Sequence, residues 1–203
     1  MLIRWLTCWT QSAGIKLVRW IVFGCNWLLY LIPVAEFGEQ NTSRRRNYET
    51  VFKNCYKAYI TNTNGGHWVP TGETMRSVML LLKVFDSSGK RLEMAAGKRL
   101  PSWTGKGKVE DGNYAGESGA VFARVLGDDE GNLNVPFWKA TRIVSDTRIR
   151  SKSTETLEFE FTLDDPDDEP TAEASLIYRP VVRSLDSIKN WNAQDILIAA
   201  AVW

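Results

Sequence analysis

The stretch ETLEFEFTL, residues 155–163, alternates apolar and polar residues without interruption. In an extended chain Leu157, Phe159, Phe161 and Leu163 share one face, and Glu158, Glu160 and Thr162 share the other. This alternation is typical of a β-strand with one face against a hydrophobic core and one face in water. The segment therefore predicts a sheet protein whose core lies on one side of this strand.

Similar short segments flank this strand on both sides, separated by clusters of Gly, Asp, Asn and Pro. So many short strands with turn residues between them favour two packed sheets over a parallel α/β fold. The sequence therefore predicts an all-β, immunoglobulin-like two-sheet β-sandwich. The further predicted strands are residues 51–62, 76–86, 90–95, 120–126, 139–145, 172–179 and 195–203.

One turn in this pattern has a sequence signature of its own, FDSSGKRL at residues 85–92. Asp86 can open a turn by accepting hydrogen bonds from the backbone that follows, and Gly89 tolerates positive φ. We therefore predict a hairpin at this position.

The first part of the chain has a different chemistry. Residues 20–35, WIVFGCNWLLYLIPVA, carry no charge and follow basic residues at Arg4, Lys16 and Arg19. This order predicts an apolar N-terminal helix that serves as a signal peptide or a membrane anchor. A spurious leader, joined to a genuine domain by a wrong start or a shifted frame, is the alternative interpretation.

The predicted division is accordingly residues 1–46, a leader or anchor with a basic linker, and residues 47–203, the β-sandwich. Membrane contact is expected only through the first part. A signal peptide implies an extracytoplasmic location, either periplasmic or extracellular.

Composition limits the chemistry available to this chain. Twenty-five basic and 24 acidic residues give a net charge of +1, which excludes a global field that attracts nucleic acid. Cys8, Cys25 and Cys55 are too far apart for a zinc pattern, and the sequence has a single histidine. The sequence also lacks the nucleophile and phosphate-loop motifs of common enzymes, so no enzyme is predicted. The acidic residues 163–173 leave calcium binding open.

The single histidine, His67, lies in NTNGGHWVPTGETMR, residues 62–76. Gly65 and Gly66 before it allow close approach of the backbone, and VPTG, residues 69–72, suits a type I turn. An imidazole held on such a loop is a good ligand for a transition metal or haem iron. The alternative is a structural role in which a backbone carbonyl caps the ring.

The segment YITNTNGGHWVPTGETMRSVMLLLKVFDSSGKRL, residues 59–92, resembles a pattern found in the β-sandwich domain of multihaem c-type cytochromes. The pattern is an asparagine, then Gly-His-x-x-Pro-Thr-Gly, an apolar strand and an Asp-x-x-Gly-Lys hairpin. Shorter segments follow in the order that this domain shows, so the resemblance covers about residues 50–203. These segments are DTRI at 146–149, FEF at 159–161 and LIYR at 176–179.

The resemblance implies that His67 is the distal axial ligand of a low-spin haem in an electron-transfer protein. Gly66, Trp68, Pro70, Thr71 and Gly72 would support it, with Trp68 and Val69 as an apolar rim. The chain has no Cys-x-x-Cys-His motif, so it cannot attach haem covalently. The haem would be supplied by a partner chain or domain of a multihaem cytochrome, or by a missing upstream segment.

The predicted function is therefore a non-catalytic module of a multihaem electron-transfer assembly. The alternative is an exported adhesion or scaffold sandwich without haem, in which exposed Trp103, Trp138 and Trp191 contact a partner or a glycan.

Overall fold

The computed structural model describes residues 16–22, 25–34, 52–63, 65–105, 112–165 and 167–203, the first two ranges and Phe52 by their backbone alone. Within these residues the chain forms ten strands and one short helix. In chain order they are β1 (Lys16–Val22), β2 (Cys25–Val34), β3 (Phe52–Asn62), β4 (Ser77–Phe85), β5 (Met94–Ala96), β6 (Gly119–Gly127), β7 (Arg142–Asp146), β8 (Thr154–Leu163), β9 (Thr171–Arg179), α1 (Arg183–Lys189) and β10 (Ile196–Val202).

The strands form two five-stranded antiparallel sheets, ordered β1-β2-β3-β8-β5 and β10-β9-β4-β6-β7. One hydrophobic core joins them, because side chains of β3 and β8 pack with side chains of β4, β6 and β9. The apolar face of β8, with Leu157, Phe159, Phe161 and Leu163, is buried, as predicted. The predicted all-β two-sheet sandwich is thus confirmed.

The predicted hairpin forms its turn but not a full pair of strands. Asp86 accepts the Gly89 N–H through its carbonyl oxygen at 2.9 Å, and Gly89 has φ +83°. The chain returns through one bridge, Phe85 to Arg91, and then crosses to the other sheet, where β5 pairs with β8. Leu92 still donates its N–H to Val84 of β4, and Met94 already pairs with β8. The side chains of both residues are buried in the core between the sheets.

The predicted apolar N-terminal helix is wrong, because residues 16–22 and 25–34 form β1 and β2. These strands pair with each other, and β2 continues the sheet along β3. They are rich in aromatic and β-branched residues, which favour strands, and β3 supplies backbone partners that are distant in sequence.

The other predictions for the N-terminal part are untested. The boundary between residues 46 and 47 lies outside the described residues, so the two-part division stays a prediction. The signal-peptide, anchor and leader interpretations also stay predictions. Among the described residues, no helix has the length and apolar character needed to cross a membrane.

The second sheet extends beyond the body of the sandwich on one side. Pairing of β6 with β4 ends at Ala123 opposite Ser77, whereas pairing of β6 with β7 begins at Arg124. Residues 124–146 therefore project as a hairpin, here called the β6–β7 arm. The arm carries a set of exposed large apolar side chains, namely Leu133, Phe137, Trp138, Ile143 and Val144.

A buried ion pair fastens the segment between β9 and β10. The Arg179 side chain is 1% exposed and donates to both carboxylate oxygens of Asp195, at 2.9 and 2.7 Å. It also donates to the carbonyls of Thr104 and Gly112, and Arg183 lies 3.1 Å from the same Asp195 carboxylate. Because three separate segments meet on Arg179, its burial fixes the connection that contains α1.

Candidate functional site

The loop that carries His67 connects β3 to β4 at the end of the sandwich where the β6–β7 arm also projects. It begins at Asn62, the last residue of β3, which is 2% exposed. The Asn62 amide nitrogen donates to the carbonyls of His67 (2.9 Å) and Ile149 (3.2 Å), and its Oδ1 accepts the Gly65 N–H (3.1 Å). One buried side chain therefore fixes the backbone on both sides of Gly66 and joins it to a second segment.

A second tie follows directly after the histidine. The N–H and the carbonyl of Val69 pair with the carbonyl and the N–H of Ile149, each at 2.8 Å. The predicted type I turn over residues 69–72 is therefore wrong, because the carbonyl of Val69 is bound by Ile149 instead of closing that turn. The hydrogen-bonded turn lies further on, where the Arg76 N–H donates to the Glu73 carbonyl at 3.2 Å.

The glycines of the loop have different roles. A Cβ on Gly65 would lie 2.5 Å from the Asn62 Oδ1, so the close approach expected for glycine occurs at this residue. Gly66 has open space around its Cα. Gly72 has φ +81°, a left-handed conformation that glycine adopts without strain.

The His67 side chain itself is exposed, and its Nδ1 lies 3.2 Å from the carbonyl oxygen of Trp68. A carbonyl oxygen only accepts, so the proton of the neutral ring belongs on Nδ1 in this contact. The Nε2 lone pair is then the one that can coordinate a metal. A backbone carbonyl caps the ring, as the structural alternative expected, and this same contact is the one that orients ligating histidines.

The residues present fit one role toward haem and not another. Axial ligation requires a single imidazole, and His67 is the one histidine of the sequence. Covalent attachment requires a Cys-x-x-Cys-His motif, which the sequence lacks. In the part of the chain that the structure describes, no group of three or more His, Cys, Asp or Glu side chains is arranged to hold a metal ion.

The predicted apolar rim differs from the observed surroundings of His67. Val69 belongs to the core, with 7% of its surface exposed. The ring of Trp68 lies beside two guanidinium groups, with the Cζ of Arg148 at 5.1 Å and that of Arg150 at 4.9 Å from its centroid. The aromatic neighbour of His67 therefore sits in a cationic environment.

Of these two arginines, Arg148 is held by a carboxylate. Asp146 accepts its Nε and Nη2 at 2.8 Å each, and also accepts from Nε of Arg124 at 2.9 Å. The hydrogen bonds from Arg148 are the largest cause that lowers the pKa of Asp146 to about 2. Asp146 thus stays ionised and keeps Arg148 in position over Trp68.

The other predicted supporting residues and alternatives are dispersed. Pro70 is buried, while Thr71 is exposed and Arg76 approaches its carbonyl at 3.5 Å. Of the tryptophans proposed for a scaffold role, Trp138 and Trp191 are 64% and 59% exposed. Trp103 lies in a single 3-10 turn and is only partly exposed, which corrects its prediction as an exposed contact.

In the acidic segment 163–173, individual carboxylates contact different partners instead of converging on one point. Asp164 lies 2.8 Å from the Lys90 ammonium, and Asp168 accepts the Ser87 N–H at 3.1 Å. These contacts fasten the loop to the turn after β4, and nothing in the described part of it favours the calcium site that the sequence left open.

Sequence reasoning missed the residues that organise the site. Asn62 continues the buried series Tyr56, Ala58 and Ile60 of β3, and a polar residue in that series is a signal for a buried hydrogen-bonding role. Arg148 and Arg150 flank Ile149, which is fully buried, and this spacing in a strand-like segment places both arginines on the outer face.

Comparison with known proteins gives one informative match. No protein-family model and no curated protein matches the sequence. The structure is similar to a penta-haem cytochrome c552 from Thermochromatium tepidum, with a TM-score of 0.53 and 23% sequence identity. The match covers 79% of this chain and 37% of that chain, so this chain corresponds to well under half of the cytochrome. At this identity the similarity concerns the fold: the chain shares its architecture with part of a multihaem cytochrome.

Proposed function

We propose that this chain is a non-catalytic module of a multihaem electron-transfer assembly, and that His67 donates the distal axial ligand to a haem carried by a partner chain or domain. The observation that carries the proposal is the contact of the His67 Nδ1 with the Trp68 carbonyl on a loop fixed by Asn62. It restrains the ring and leaves Nε2 as the nitrogen available for ligation. The fold shared with part of a penta-haem cytochrome supports the link to multihaem electron transfer.

The role of the protein in such a site is to position the ligand. A haem supplies the one-electron chemistry, and the axial ligand tunes its potential. In this chain the Trp68 carbonyl keeps the proton on Nδ1, and Asn62 and Ile149 hold the backbone on both sides of the histidine. A ligand that is already oriented loses little conformational entropy when it binds iron.

The surroundings of the loop are consistent with a partner. The β6–β7 arm and the segment before β10 leave the sandwich at the end that carries His67. Both present exposed apolar side chains, Phe137 and Trp138 on the arm and Trp191 after α1. Apolar groups of this size are often buried in protein interfaces. For such an assembly we expect the location outside the cytoplasm that the signal-peptide interpretation also predicts.

The experiment uses a haem c peptide whose iron has one peptide histidine and an open sixth position. Titration with the full chain is expected to shift the Soret band to its low-spin position, since a second imidazole strengthens the ligand field. The variant His67→Ala should abolish the shift. The chain has no other histidine, so persistence of a low-spin spectrum in His67→Ala would refute the proposal.

A second candidate function rests on the exposed tryptophans. Trp138 stacks edge-to-face with Phe137, with ring centroids 5.1 Å apart, and this pair could anchor a protein or glycan without any haem. Under this scaffold hypothesis Trp138→Ala would weaken partner binding, whereas His67→Ala would leave it unchanged. Parallel binding assays of the two variants against one captured partner separate the hypotheses.

A further inference from the structure

A cleft of about 880 Å³ opens beside Trp68, at one side edge of the sandwich. It exists because the two sheets are incompletely covered there. In the described chain β7 pairs with β6 only from Arg124 onward, and β5 pairs with β8 only near Glu160 and Phe161. The first halves of β6 and β8 therefore face each other across an open space, which residues 120–122 and 153–155 line.

The cleft concentrates positive charge in a chain whose net charge is only +1. Its lining contains four cationic side chains, Lys98, Arg99, Arg148 and Arg150, against the carboxylates of Asp146 and Glu155. Asp146 pairs with Arg148, so these two lining charges compensate each other. Lys98, Arg99 and Arg150 then stand against Glu155 alone, and this excess of positive charge attracts an anionic group.

Arg150 is the best placed of these cations to bind an anion. Its guanidinium lies against the Trp68 ring, and no described carboxylate lies within ion-pair distance of it. Contact with the indole restricts the side chain while leaving its in-plane donors open. A guanidinium of this kind binds a carboxylate through two parallel hydrogen bonds.

We propose that this cleft binds the propionate carboxylates of the haem that His67 ligates. The inference rests on the proposed function. Trp68 follows His67 in the chain and lines the cleft, so the cleft lies next to the proposed ligand. Haem carries two propionates on one edge of the ring, and a planar carboxylate is the ligand class that Arg150 suits. Trp68 then contacts both groups: its carbonyl oxygen contacts the His67 ring, and its indole contacts Arg150, which would bind the carboxylates.

The test compares ferric protoporphyrin IX with its dimethyl ester, in which the carboxylates are blocked, by absorbance titration of the full chain. The free acid should bind more tightly than the ester. Arg150→Gln should weaken binding of the acid about tenfold and leave the ester unchanged. The matched control is Arg142→Gln, which removes an exposed arginine of β7 outside the cleft. Arg150 is exposed, so its removal should not alter the thermal midpoint.

The outcomes distinguish this inference from the proposed function. If the acid gives a His67-dependent shift of the Soret band but Arg150→Gln weakens acid and ester equally, the cleft assignment is wrong and the ligand role stands. If neither porphyrin gives such a shift and the haem c peptide titration gives no low-spin spectrum, both fail.

A general anion site is excluded by titrating inorganic phosphate into the chain alone while following the Trp68 indole N–H by NMR. Saturation at submillimolar phosphate would overturn the assignment to haem carboxylates. Weak phosphate binding, together with release of the acid but not the ester at raised ionic strength, would support it.

Discussion

The side-chain amide of Asn62 donates to the main-chain carbonyl of His67 across 2.9 Å, so the last residue of a core strand determines where the candidate ligand lies. The same side chain binds Ile149 and Gly65. The Asn62 carboxamide thus joins the end of β3 to the His67 loop and to the segment that contains Ile149.

Replacing Asn62 by Ala should destabilise the fold and loosen the loop. The change leaves the His67 carbonyl and the Gly65 N–H without this partner, while the Ile149 carbonyl keeps the Val69 N–H. Each buried unsatisfied group costs about 1–3 kcal/mol, so we expect a loss of about 2–4 kcal/mol. Urea denaturation measures it. Asn132→Ala, in an exposed turn where Asn132 binds Asp128, is the matched control and should cost less than about 1 kcal/mol. Equal losses in the two variants would contradict the role assigned to Asn62.

The two adjacent glycines should respond differently to the same substitution. Gly65→Ala places a methyl group 2.5 Å from the Asn62 Oδ1 and should cost about 1–3 kcal/mol, because either the amide or the loop must shift. Gly66→Ala meets no atom within 4 Å and should be nearly neutral. Thermal midpoints of the pair check this prediction, and the haem c peptide titration should weaken only for Gly65→Ala.

Stability should fall with acid in a window set by Asp146. Its pKa is lowered to about 2 in the folded protein, from an ordinary value of 3.8. The unfolded chain therefore takes up the proton first as pH falls, and stability is lost progressively between about pH 4 and pH 2. We expect about 1–2 kcal/mol from this group, reduced by its partial exposure to water.

Asp146→Asn tests the acid window directly. The variant should be less stable than the parent at pH 7, and the difference should shrink as pH falls toward 2. Chemical denaturation at several pH values measures both. A difference that stays constant over this range would show that the ion pairs with Arg124 and Arg148 do not contribute.

Two ion pairs in this protein should differ greatly in their effect. Asp195→Asn leaves Arg179 charged and 1% exposed with a weakened partner, so we expect a loss of about 3–5 kcal/mol. Lys53→Ala breaks an exposed pair with Glu160, also at 2.9 Å, and should cost less than about 1 kcal/mol. Urea denaturation of both variants is the measurement, and a small effect of Asp195→Asn would contradict the structural role of the buried pair.

The strands were predictable where a short apolar or alternating run ends at turn residues, as in β4, β6, β8 and β9. Features that depend on distant pairing were not predictable. The apolar N-terminal residues lack a strand period, and they form strands by pairing, β1 with β2 and β2 with β3. The short helix α1 has no side-chain cap, and the segment around it is held by Arg179 and Asp195, so its sequence carries little local signal.

The candidate site divides in the same way. Its exposed element, His67, was identified from composition and from a resemblance, because a lone histidine among glycines is conspicuous. The residues around it were not, since Asn62 joins the loop to Ile149 and Arg150 contacts Trp68, and both contacts link residues far apart in the chain. A contact map, and not a local pattern, is what relates Asn62 to Ile149 or Trp68 to Arg150.

In the β6–β7 arm the two strands pair through backbone hydrogen bonds with each other and with no other described strand, because pairing of β6 with β4 stops at Ala123. Hydrogen bonds of this kind can break by local opening, without exposing the core to water. The amide hydrogens of β7 should therefore exchange with solvent deuterium faster than those of β4, because the free energy of local opening is smaller in the arm. The surface with Phe137 and Trp138 is therefore able to adapt its shape to a partner while the sandwich beneath it stays folded.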